Sequence, residues 1–68
     1  MPPKIRELIK ELEVAGFINR GGKGSHRNYL HPSGAVLTLS GRPGDDAKPY
    51  QLKLVRAKIE ETKNETRG

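Results

Sequence analysis

Ile5, Leu8, Ile9 and Leu12 recur at i, i+3, i+4 and i+7, the spacing of one face of an amphipathic helix. The pattern predicts a helix over 3–15. Pro3 suits the first helical position, where a missing N–H costs nothing. Gly16 suits the residue just past the end, with Phe17 folding back onto the last turn. The pattern then shortens. Phe17–Arg20, Arg27–His31 and Ala35–Leu39 read as three short strands. Gly21-Gly22-Lys23-Gly24 and Pro32-Ser33-Gly34 supply the turns between them. Links this short imply antiparallel hairpins. Gly41–Pro49 reads as a surface loop. Helical spacing returns over 50–63, with Leu52, Val55 and Ile59 on one face and Leu54 beside it. Residues 64–68 carry no anchor and are expected to fray.

The order helix, strand, strand, strand, helix is an α+β arrangement. Two amphipathic helices cover one face of a three-stranded antiparallel sheet and leave the other face wet. This α-β-β-β-α layout is that of double-stranded-RNA-binding domains. Residues 1–63 are expected to form one domain.

Composition narrows the function. A chain of 68 residues buries only about 60% of the surface exposed by its unfolded form, which leaves no room for a deep cleft between lobes. The absence of cysteine excludes disulfides, zinc-thiolate sites and thiol catalysis. No apolar run reaches the ~20 residues of a membrane helix, and the first residues lack the apolar stretch of a secretory signal. The expectation is a soluble cytoplasmic protein with no membrane partner. The net charge of +5 is unevenly placed. Residues 17–31 hold Arg20, Lys23 and Arg27 with no acid, together with His26 and His31. A localised basic patch is the footprint of a nucleic-acid binder.

Candidate chemistry lies in Arg20-Gly21-Gly22-Lys23-Gly24-Ser25-His26-Arg27-Asn28-Tyr29. Imidazole both takes and gives a proton near neutral pH. In RNA each phosphodiester has a 2′-hydroxyl beside it, so a base near that hydroxyl, or an acid near the departing 5′-oxygen, suffices for cleavage. His26 is the candidate catalytic residue. Lys23, Gly24, Ser25, Arg27 and Tyr29 are the candidate nucleic-acid-binding set: cations against the phosphate, a hydroxyl, and a glycine that permits close backbone approach. One imidazole cannot accept and donate in the same step, so Tyr29, Lys23 or water must complement it. Tyr29 and Leu30 compete for the inward face of their strand. His31, five residues on, points away from His26 on a regular strand and is read as structural.

Other constellations carry less. No metal site is expected, because the adjacent acids Asp45 and Asp46 stand in a separate loop and nuclease metals need convergent carboxylates. The glycine run lacks the spacing of a nucleotide-binding loop. Lys53 and Arg56, three apart on the second helix, form a further basic face. Phe17, Tyr29 and Tyr50 are too few for a single-strand stacking platform.

Gly24-Ser25-His26-Arg27, then Tyr29 and His31-Pro32, resembles the signature of the HicA (YcfA-like) mRNA interferase toxins. Leu8-Ile9-Lys10, Leu12 and Gly16-Phe17 are similar to that family's first helix. Val55-Arg56-Ala57 with Ile59 resembles its last. The resemblance spans about residues 5–60. It implies a double-stranded-RNA-binding-like fold and a metal-independent, cofactor-free ribonuclease that cuts mRNA and stops translation. It also implies catalysis by His26, and a HicB-type antitoxin that masks it. The Gly41–Pro49 loop is long beside compact members, which leaves its role open. The rival expectations are a non-catalytic double-stranded-RNA-binding module and an interaction subunit pairing through a sheet edge.

Overall fold

The computed structural model describes residues 2–66, with side chains as far as Lys63. The elements are α1 (Ile5–Val14), β1 (Ile18–Asn19), β2 (Arg27–Leu30), β3 (Val36–Leu39) and α2 (Pro49–Thr66). The strands form one antiparallel sheet in the order β1-β2-β3. The α-β-β-β-α order and the α+β class match the expectation.

The first helix starts two residues later than predicted: Lys4 is its N-cap, and Pro3 lies outside. The Glu7 carboxylate accepts the Lys4 N–H at 2.8 Å. The first helical N–H groups, which have no partner inside a helix, donate across space. Ile5 N–H reaches Asp45 O at 2.8 Å, and Arg6 N–H reaches Pro43 O at 3.0 Å. The loop between β3 and α2 therefore serves as the N-terminal cap of α1. In return its Ala47 N–H donates to Pro3 O at 2.7 Å. At the other end Gly16 has φ 103°, and its N–H bonds to Glu13 O while Phe17 N–H bonds to Leu12 O. This pair of bonds is a Schellman closure.

Ile5, Leu8 and Leu12 of α1 meet Phe17, Tyr29, Leu37, Leu39 and Val55 in a single core, with Ala35 and Ala47 at its edges. Leu52, Leu54 and Ile59 of α2 pack against it while partly exposed. The strand register puts Tyr29 opposite Leu37, and both face the helices. Helix α2 runs three residues past its predicted end at Lys63, because no glycine or proline interrupts it before Gly68. Arg67 and Gly68 of the predicted tail lie outside the described residues.

The open face of the sheet is less polar than expected. Ile18, Leu30 and Val36 sit in register across the three strands and are 55%, 36% and 56% exposed. The adjoining row is polar, with Thr38 donating its hydroxyl to Asn28 Oδ1 at 2.8 Å.

Candidate active site

The β1–β2 connection is folded onto itself by short backbone bonds. Arg20 N–H donates to Asn28 O at 2.7 Å, and Asn28 N–H donates to Gly21 O at 2.9 Å. Asn19 Oδ1 accepts the Gly21 N–H at 2.7 Å. Beyond this base, His26 N–H donates to Lys23 O at 2.9 Å. That bond closes a four-residue turn with Gly24 at its first central position and φ 56°. Gly22 lies hard against the end of the turn, where a side-chain Cβ would come within 2.2 Å of the His26 carbonyl oxygen. Glycine is required there by contact. The order of residues thus delivers His26 at the rim of a hydrogen-bonded turn rather than on a floppy loop.

The side chains of Lys23, Ser25 and His26 are all exposed. The His26 ring has no hydrogen bond or ion pair among the described residues, so both its nitrogens are open to a ligand or to water. Arg27 is different. It is half-buried, and its Nη1 donates to Gly41 O at 2.9 Å and to Ser25 O at 3.4 Å. The contact spans 14 residues and brings the loop after β3, with the exposed Arg42 next in sequence, to the end of the sheet where His26 stands. Nothing in the sequence around Arg42 points to the His26 turn. The long-range Arg27–Gly41 hydrogen bond links the two loops.

Tyr29 does not belong with this surface set. It is 1% exposed, held inward by its pairing with Leu37, and a side chain without solvent contact offers a polymer nothing to bind. Its burial pushes the phenol above its ordinary value; Arg27 opposes that shift and Glu13 adds to it. His31 is also structural, as expected. Its Nε2 lies 3.1 Å from Ala15 O and its Nδ1 lies 3.0 Å from the Ser33 N–H. A carbonyl only accepts and an amide only donates, so Nε2 donates to Ala15 and Nδ1 accepts from Ser33, whose Oγ also lies 3.0 Å from Nδ1.

The acids are engaged or remote. Asp46 pairs with Lys4, and Asp45 Oδ2 accepts the Arg42 N–H at 3.1 Å. Among the described residues no three His, Asp or Glu side chains converge. On α2, Lys53 and Arg56 are exposed, with Arg56 Nε 4.0 Å from Glu11. No helix among the described residues is long and apolar enough to cross a membrane.

Residues 5–61 match the model of the HicA toxin of bacterial toxin-antitoxin systems. The chain belongs to this family. The matched span starts with α1 and ends within α2, so it takes in the whole sheet and the Gly-Ser-His turn. No curated protein matches the chain. Membership of the HicA family makes it the toxin half of a two-protein system and implies an antitoxin as its partner.

Proposed function

We propose that this HicA-family chain is an endoribonuclease that cuts mRNA without a metal and so stops translation. The observation that carries the reading is an exposed, unpartnered imidazole at the rim of an acid-free, cation-bearing turn. RNA lies along that turn, its phosphate held by the Lys23 ammonium, the Ser25 hydroxyl and the open backbone at Gly24. His26 takes the proton from a 2′-hydroxyl. The 2′-oxygen then bonds to the adjacent phosphorus as the bond to the 5′-oxygen breaks. The departing oxygen takes its proton from Lys23 or from water. The products are a 2′,3′-cyclic phosphate and a 5′-hydroxyl. Positive charge beside the phosphorus offsets the charge that builds up on its oxygens in the transition state. A HicB-type antitoxin covering His26 would silence the enzyme by steric exclusion alone, because so shallow a site has no other means of closing.

The test is cleavage of one RNA and of the same strand with 2′-deoxy sugars, both with a chelator present. Cutting of the RNA alone, leaving cyclic phosphate ends, is the expected result. Cutting of the deoxy strand, or dependence on a divalent ion, overturns the mechanism. Duplex binding with no scission would favour a plain RNA-binding module.

A further inference from the structure

We infer that Arg27 is a positioning residue, a clamp that locks the His26 turn to the loop between β3 and α2, rather than a contact for the RNA phosphate. The inference rests on the ribonuclease reading for its catalytic consequence, but the clamp itself is a statement about the free protein.

Three observations carry it. First, Arg27 follows His26 directly, and its guanidinium Nη1 donates both to the Ser25 carbonyl on the near side and to the Gly41 carbonyl across 14 residues. A charged donor to a carbonyl is among the stronger protein hydrogen bonds. Second, Gly41 is a firm anchor. Its loop is tied to α1 by the Ile5 and Arg6 amides. It is also tied to α2 by the buried Gln51, whose Nε2 donates to Ser40 O at 2.9 Å and whose Oε1 accepts the Lys48 N–H at 2.9 Å. Third, Arg27 is half-buried while Lys23 and Ser25 are exposed. Its register partner Leu39 is fully buried, so the stem of Arg27 lies on the core side of the sheet's end and its Nη1 is held by backbone carbonyls.

The consequence is a division of labour among neighbouring cations. The Lys23 ammonium has no hydrogen bond or ion pair among the described residues and is available to a phosphate. Arg27 fixes where the turn stands. A displaced general base loses rate steeply, of order 100-fold for a shift of about 1 Å. A lost phosphate contact instead weakens binding and flattens its salt dependence.

The experiment compares Arg27→Met, which keeps the stem and removes the donors, with Lys23→Met. For Arg27→Met the expected result is a kcat at least about 10-fold lower, with KM within about twofold and the slope of log binding constant against log salt unchanged. For Lys23→Met that slope is expected to fall by about 0.7. If Arg27→Met gives the raised KM and the flattened slope at unchanged kcat, Arg27 is a phosphate ligand and the inference is overturned. A second measurement needs neither activity nor a stable variant. In the wild-type chain at low temperature, the Arg27 guanidinium protons should exchange with water far more slowly than those of exposed Arg6 and Arg20. Exchange as fast as theirs removes the clamp whatever the enzyme does. Slow exchange in a protein that cuts no RNA leaves the clamp standing and sinks only the ribonuclease.

Discussion

The His31 imidazole donates from Nε2 to the carbonyl of Ala15, the C-cap of α1, at 3.1 Å and 16 residues' separation. The same ring lies 5.1 Å from that of Phe17, tilted by 57°, and accepts the Ser33 N–H. One side chain thus joins the end of the first helix to the β2–β3 turn. The two histidines of this chain have opposite lives: His31 is satisfied on both nitrogens and His26 on neither.

Replacing His31 by Ala should therefore cost stability. The loss of the ring's hydrogen bonds to Ala15 O, the Ser33 N–H and Ser33 Oγ, and of its contact with Phe17, at a half-buried site is expected to be about 2 kcal/mol. Urea unfolding of His31→Ala and His26→Ala side by side measures it. An unchanged midpoint for His31→Ala, or an equal loss in His26→Ala, contradicts this assignment of roles.

Gly22→Ala should damage the turn and spare the core. Its added Cβ meets the backbone oxygen of His26 at 2.2 Å, which no rotamer relieves, so the turn must open. The expected outcome is a loss of RNA cleavage of about 10-fold or more, with the buried residues of the sheet unshifted in an NMR spectrum. Full activity in Gly22→Ala would mean that the close packing of Gly22 on His26 is immaterial.

Burial of Tyr29 predicts alkaline sensitivity. Its phenol is raised above its usual value in the fold, chiefly by desolvation. The neutral form is favoured in the folded state, so the associated stability is complete below about pH 10, the unfolded value. It is lost as pH rises through the higher folded value. Stability to denaturant measured at pH 8 and pH 11 should fall more for the wild type than for Tyr29→Phe. Equal falls would show that Tyr29 does not report on the core.

Much of this molecule can be read locally. The i, i+3, i+4 spacing and Gly16 mark α1 and its closure within a few residues, because both are short-range effects of periodicity and left-handed backbone. Tyr29 was ambiguous because adjacent strand residues face opposite ways and both it and Leu30 are apolar. The deciding signal lay in the neighbouring strand, where polar Thr38 turns Leu37 and Leu39 inward and the pairing carries Tyr29 with them. The work of the 41–48 loop was illegible for another reason. Its contacts with α1 and Arg27 run through backbone carbonyls, and a carbonyl carries no residue code. His26 could be singled out because glycines, hydroxyl and cations surround it in sequence, although only the fold shows its ring to be exposed and unpartnered.

The salt dependence of binding separates the cations. Lys23→Ala should weaken RNA binding at low salt and lower the salt slope by about 0.7, the share of one phosphate contact on a single strand. Filter binding between 50 and about 200 mM salt covers the useful range. A slope equal to that of the wild type removes Lys23 from the RNA interface.

The most direct measurement is the rate at which purified His26→Ala cuts an RNA that the wild-type chain cuts, with folding checked by thermal melting. Loss of general-base catalysis is expected to lower the rate by about 10²–10⁴-fold at an unchanged melting temperature. Cleavage at the wild-type rate by a folded His26→Ala protein contradicts the central claim.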